Sequence, residues 1–131
     1  MANPNIVSVT SIYAGNAAWA LTTTLDATLF TAAADVTVKI NSITATNTSA
    51  TVVTNLTLQL FGLTDSGQSG VTLAGAIQTD IMIAAALPVP GSDVLSVIDR
   101  PIYLMEGDIL KGGASIATVD LSIFYEVIND A

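Results

Sequence analysis

The sequence contains no histidine and no cysteine. The first absence removes the side chain that most often serves as a general base or a zinc ligand. The second removes the thiol nucleophile and the disulfide bond. A Ser-His-Asp or Cys-His catalytic site therefore cannot be assembled from this chain. Burial of apolar side chains and backbone pairing must hold the fold together without a disulfide framework.

Positive charge is also scarce. Three Lys and Arg residues stand against eleven Asp and Glu residues, which gives a formal net charge of −8. Such a chain is repelled by a phosphate backbone and by an anionic membrane surface, so we expect no nucleic-acid and no membrane partner. The segment Met1–Asn5 has neither the basic nor the apolar part of a signal peptide. We expect a soluble product made in the cytoplasm of the cell that expresses it.

The residues that are present favour a single all-β domain. Apolar residues make up 51% of the 131 residues and charged ones only 11%, with many Thr, Val and Ile. This composition suits half-buried strands, and period-two patterns recur between clusters of turn-forming residues. We predict an antiparallel β-sandwich of jelly-roll type with about seven to nine short strands. Residues 1–20 would form an N-terminal strand or arm and residues 21–131 the sandwich, as one compact domain.

Two central strands can be placed from their alternation. Apolar residues alternate from Val36 to Ile40, and the phase then slips at Asn41-Ser42 before it resumes. A slip of this kind predicts a bulge or bend in the strand. The following strand carries leucines at 56, 58 and 60 on one face. We expect these two strands to form a central antiparallel hairpin.

The two ends of the chain give further expectations. Ala14-Gly15-Asn16 is a turn-type tripeptide, and it predicts a turn between strands at Ile6–Tyr13 and Ala18–Leu25. The clearest alternation lies in the last strand, from Val119 to Val127. The apolar residues of this strand share one face, and the opposite face carries Asp120, Ser122, Phe124 and Glu126.

Only carboxylates remain for catalysis or for metal binding. Glu106 and Asp108, near Asp99 in sequence, could act as an acid and a base. We interpret Glu106-Gly107-Asp108 instead as a tight turn with solvated acids. A carboxylate hydrolase stays open as an alternative. No calcium loop of the EF-hand type is present, and no cofactor is implied.

A series of short motifs resembles one protein family. The motifs are Thr28–Thr31, Val38–Ile43, Thr46–Ser49, Leu56–Leu60, Leu87–Pro90, Pro101–Asp108 and Ser122–Ile128. Together they resemble the small virion structural proteins of tailed phages, particularly marine and cyanobacterial ones. The resemblance covers about Leu21 to Ile128 and carries no catalytic signature.

The resemblance implies a β-sandwich that docks on a phage capsid, neck or tail. We expect a non-enzymatic capsid decoration or cement protein that binds the major capsid protein or other virion proteins and stabilises the shell. A homo-oligomer is expected, with a trimer favoured on an icosahedral shell. A neck, tail or baseplate component is the first alternative. A carbohydrate- or receptor-binding sandwich is the second.

Five residues are candidate interface positions. Aromatic side chains and proline-fixed loops lose little conformational entropy when they bind a partner. On this ground we predict contacts from Tyr13, from Trp19, the only tryptophan, and from Pro88, Pro90 and Asp93 in the Pro88–Asp93 loop.

Overall fold

The computed structural model describes residues 11–62, 80–98 and 100–129. These residues form nine β-strands and no helix, in agreement with the predicted fold class. The strands are β1 Ser11–Ala20, β2 Thr28–Thr31, β3 Val36–Asn47, β4 Thr54–Phe61, β5 Asp80–Val89, β6 Val94–Ile98, β7 Ile102–Leu104, β8 Ile109–Ala114 and β9 Val119–Asn129.

The strands form two antiparallel sheets. The five-stranded sheet has the order β1-β9-β3-β6, with β7 also paired to β3, and the four-stranded sheet has the order β2-β8-β4-β5. Among the described strands, β4 and β5 are the only consecutive ones that pair with each other. The other connections cross between the sheets or follow the edge of one. Because β6 and β7 pair with successive parts of β3, they act as one interrupted strand. This strand order is that of a jelly roll and agrees with the predicted β-sandwich class.

The core lies between the inner faces of the two sheets. Alternate residues of β4 and β9 supply much of it, as predicted: Leu56, Leu58 and Leu60 from β4, and Val119, Leu121 and Ile123 from β9, all at most 9% exposed. Partly buried aromatic residues close one side of this core, where the rings of Phe30 and Tyr125 meet edge to face with centroids 5.0 Å apart.

The predicted bend in β3 is present. Ile40 pairs with Tyr125 and Ser42 pairs with Phe124, so Asn41 is an extra residue in β3. At this point β3 also changes its other neighbour, from β7 at residues 38–40 to β6 at residues 43–46. The bulge keeps Ile40 and Ile43, both fully buried, on the inner face although three positions separate them.

Two predictions of local pairing are wrong. Ala14–Asn16 is not a turn, because β1 runs straight through it and pairs with Phe124–Glu126 in unbroken register. The two central strands do not form a hairpin, because β3 and β4 belong to different sheets. Alternation shows which residues share a face, but it does not identify the neighbouring strand.

The chain crosses from β3 to β4 over a buried polar residue. Asn47 is 1% exposed, and its amide nitrogen donates to the carbonyl oxygens of Val52 and Val89 at 2.8 and 2.9 Å. Its amide oxygen accepts from the backbone N–H of Ser49 at 3.0 Å. One side chain thus ties the end of β3 to the crossing segment and to the end of β5.

Candidate functional site

The outward-facing side of the five-stranded sheet is the candidate interaction surface, and we call it the outer face. Pairing registers arrange its side chains in rows across the strands. The central row is Asn16, Phe124 and Ser42. The row on one side consists entirely of small side chains: Ala18, Ser122, Thr44 and Ser96. The row on the other side is Ala14, Glu126, Lys39 and Tyr103.

Phe124 projects from the middle of this surface. It lies on the second strand of the sheet, yet 47% of its area remains exposed, because its neighbours in the rows are short. Tyr103 on β7 is also 47% exposed, and Val94 on β6, in the row of Ala20, Asp120 and Thr46, is 57% exposed. Single exposed apolar side chains are common on protein surfaces, so these three mark the outer face as a candidate contact surface only because they share one side of the sheet.

A shallow depression of about 360 Å³ lies beside Phe124. Its lining residues come from three strands: Ala14, Gly15, Asn16, Asn41, Phe124, Tyr125 and Glu126. Two features of the sequence create it. Ala14 leaves the β1 side low, and the bulge in β3 adds the amide of Asn41.

The outer face carries few charges. Lys39 Nζ lies 3.9 Å from Glu126 Oε2, and both side chains are about a third exposed, at 30% and 39%. An exposed pair at this distance contributes little to stability, but it leaves the centre of the surface close to neutral. The net charge of −8 is therefore not concentrated at the candidate site.

The depression is suited to binding more than to bond chemistry. Asn16 and Asn41 each offer an amide donor and acceptor, Glu126 offers carboxylate oxygens, and Phe124 offers an apolar ring. This set matches an uncharged ligand that has hydroxyl groups and an apolar face. In the described part of the chain, no three Asp or Glu residues come together in a way that could hold a metal ion.

The carboxylates of the β7–β8 turn serve the fold. Gly107 has a φ of 85°, and Glu106-Gly107-Asp108 forms a tight turn as predicted. The expectation that its acids are solvated is wrong for Asp108, which is 2% exposed and accepts from the N–H of Met105 at 3.0 Å. Glu106 accepts from the N–H of Asp35 at 3.0 Å. Asp99, the third acid of this group, lies outside the described residues.

The five predicted interface residues lie on two opposite sides of the sandwich. Tyr13 and Trp19 are in β1, at one edge of the five-stranded sheet. Tyr13 is 63% exposed, whereas Trp19 packs partly against the core. Pro88 is within β5, and Pro90 and Asp93 are in the connection to β6, at the opposite edges. The structure does not bring the two groups together, and their role at an interface stays a prediction.

Phe124 is a residue of the candidate site that was not predicted from the sequence. The signal was present, because Phe124 is the one aromatic residue on the polar side of the last strand, between Ser122 and Glu126. An aromatic residue at an outward position of a regular strand is expected to project from that face of the sheet. The contribution of Asn41 could not be read from the sequence, because it depends on pairing with β9 across the bulge.

Comparison with protein-family models, with curated proteins and with solved structures gives no significant match. Within the described ranges, no helix is long and apolar enough to cross a membrane.

Proposed function

We propose that this protein is a non-enzymatic structural subunit of a tailed-phage particle, most simply a decoration or cement protein that binds the capsid shell as a homo-oligomer. The observation that carries the proposal is the outer face of the five-stranded sheet, where Phe124 projects among small side chains and Tyr103 and Val94 are exposed on the same face. Jelly rolls occur in viral capsid domains and also in proteins of other functions, so the argument rests on this surface and on the motif resemblance.

The physical role of such a subunit follows from mass action. A protein that binds only the assembled shell stabilises that shell by the free energy of binding. A flat surface of small side chains lets a partner's backbone approach closely, and one projecting ring can insert into a recess of the partner. The near-neutral centre of the outer face avoids the cost of burying unpaired charge.

The test is cryo-electron microscopy of purified particles, with this chain traced into the density and its copies counted. Density across the capsid lattice, with the outer face against the major capsid protein, is the expected result. Density at a single vertex or along the tail would instead assign a neck, tail or baseplate role. Absence of the chain from particles would contradict a virion function altogether.

A second candidate function is carbohydrate binding, and the depression beside Phe124 favours it. Its volume of about 360 Å³ is in the range of small-ligand sites, and its amides, carboxylate and ring match the hydroxyls and the apolar face of a sugar. Trp19 and Tyr103, two other aromatic side chains on which a sugar could stack, do not line it.

A glycan array with the full chain tests this candidate. The expected result is binding that is lost in Phe124→Ala and in Asn41→Ala but kept in Phe61→Ala, an exposed phenylalanine on the other sheet. Equal binding by all three variants, or no bound glycan, would contradict a sugar site in the depression.

A further inference from the structure

In the part of the chain that the structure describes, strand β1 is a long sheet edge. It pairs with β9 over ten residues without a register shift, and no described strand pairs with its other side. Alternate residues of such a strand direct their backbone N–H and C=O groups away from the sheet. Proteins usually protect open edges with charged residues, prolines or bulges. β1, with the sequence SIYAGNAAWA, has none of these.

The other sheet edges are less suitable for pairing. β2 has only four residues. β5 contains Pro88, and its register with β4 shifts twice. β6 and β7 are short, and Arg100 and Pro101 separate them. Among the described strands, therefore, the best match for the open edge of β1 is the same edge of a second copy.

The faces of the sheet restrict how two copies can pair. Odd-numbered residues of β1, such as Tyr13 and Trp19, point inward, and even-numbered ones, such as Asn16, point outward. When two antiparallel copies form one continuous sheet, residues opposite each other must share a face. Odd positions then oppose odd ones and even positions oppose even ones. For pairing along almost the whole strand, the twofold axis must pass through either Gly15 or Asn16.

The side chains discriminate between these two registers. With Asn16 on the axis, Tyr13 of each copy lies opposite Trp19 of the other, and Gly15 lies opposite Ala17. With Gly15 on the axis, Tyr13 lies opposite Ala17, and Trp19 opposite Ser11. Aromatic pairs are among the most stabilising pairs across neighbouring strands. In the first register, Trp19 of the second copy would cover Tyr13, which is 63% exposed in the single chain.

We propose that two copies of this chain associate edge to edge through β1, antiparallel, with Asn16 on the twofold axis and Tyr13 of each copy against Trp19 of the other. Such a dimer extends the five-stranded sheets into one sheet and places both outer faces on the same side. Because β1 carries no charge, the net charge of −8 on each copy is not brought into the contact.

This inference goes beyond the proposed function and does not depend on any particle. A twofold contact closes after two copies, so it gives a dimer and not the trimer that the sequence analysis favours. A trimer on a shell would need a different surface. The test therefore uses the purified full chain alone, and failure on particles leaves its result unaffected.

Sedimentation equilibrium of the purified chain measures the association. Twice the mass of the 13.4-kDa chain is expected. Tyr13→Ala should weaken the dimer at least tenfold, and the control Phe61→Ala, an exposed aromatic residue on the four-stranded sheet, should not. A monomer at all concentrations, a trimer, or equal weakening by the two variants would overturn the proposal.

The absence of native cysteine makes the register directly measurable by oxidation of single-cysteine variants. Asn16→Cys should form a disulfide-linked dimer, because residue 16 of one copy lies opposite residue 16 of the other at the twofold axis. Ala14→Cys should not link to itself, because its copies lie four residues, or about 13 Å, apart along the strands. A mixture of Ala14→Cys and Ala18→Cys should link. Efficient self-linking of Ala14→Cys, or none by Asn16→Cys, would overturn the register.

Discussion

The ring of Tyr125 in β9 lies over Gly15 in β1, so that a Cβ atom at residue 15 would be only 2.6 Å from Tyr125 Cζ. The two residues are direct partners in the register of the strands. This contact is the reason that a glycine stands within a regular edge strand, where glycine alone weakens pairing. The ring extends from this position to Phe30 on the other sheet.

The contact predicts that Gly15→Ala destabilises the protein when Tyr125 is present and does not when Tyr125 is replaced. Gly15→Ala should lower the free energy of unfolding by about 1–3 kcal/mol, because the added methyl group displaces the ring. In a Tyr125→Leu background the same substitution should be neutral or stabilise by up to about 1 kcal/mol, since alanine is the better strand residue there. Urea unfolding of the unchanged protein, the two single variants and the double variant gives the coupling free energy between positions 15 and 125.

Gly107→Ala is the control for glycine replacement without a clash. It lies at a φ of 85° with no atom within 4 Å of the added Cβ, so only backbone strain opposes it. Its cost should therefore be the same in both backgrounds. An equal cost of Gly15→Ala with Tyr125 and with Leu at position 125 would contradict the proposed clash.

Replacement of Asn47 should destabilise the protein more than replacement of an exposed polar residue. Asn47→Ala should lower the free energy of unfolding by about 2–4 kcal/mol, because the buried carbonyl oxygen of Val89 loses its donor and the part-buried bonds to Val52 and Ser49 are lost with it. Asn47→Asp should be at least as harmful, since a carboxylate cannot donate to Val52 and Val89. Asn55→Ala, at an exposed position of β4, should change stability by less than about 0.5 kcal/mol. Equal effects at the two asparagines, measured by urea unfolding, would contradict this account.

Much of the fold could be predicted because it depends on local patterns. The alternation in β4 and β9 identified the buried residues, and the phase slip at Asn41-Ser42 located the bulge. The wrong predictions concern distant contacts. Ala14–Asn16 resembles a turn by composition, but its conformation is set by partners more than a hundred residues away in sequence.

The candidate site was predicted less well for the same reason. Its residues come from β1, β3 and β9, and their proximity depends on the sheet order. Asp108 shows the limit of turn chemistry as well. The sequence Glu-Gly-Asp correctly predicts the turn. It does not show that the turn lies against Ala32, whose N–H donates to the backbone carbonyl oxygen of Asp108. In this position Asp108 is buried.

The bulge predicts different results for two single-residue deletions in β3. Deleting Asn41 brings Ser42 directly after Ile40, and the pairing with Tyr125 and Phe124 then continues without an extra residue. Deleting Thr44 instead can keep both ends paired only if Ser42 turns inward and Ile43 turns outward. Exposing a fully buried isoleucine and burying a serine should cost about 2–4 kcal/mol more than removing the bulge.

Urea unfolding of the two deletion proteins measures this difference. A circular-dichroism spectrum like that of the intact protein is expected for the Asn41 deletion. The Asn41 deletion should also lose any glycan binding in the depression, because its amide is part of the lining. Equal destabilisation by the two deletions would show that Asn41 is not the extra residue.

A charge at Phe124 should prevent binding to particles. Phe124→Arg places a charge in the centre of the outer face without disturbing the core, because the side chain is 47% exposed. Stability should change by less than about 0.5 kcal/mol, as for other exposed positions. Binding to particles that lack the chain should fall at least tenfold, since a buried unpaired charge at an interface costs several kcal/mol.

Asn55→Arg, on the outward side of the four-stranded sheet, adds the same charge and should bind like the unchanged chain. Co-sedimentation with particles measures both variants. Normal binding by Phe124→Arg together with loss in Asn55→Arg would assign docking to the four-stranded sheet instead.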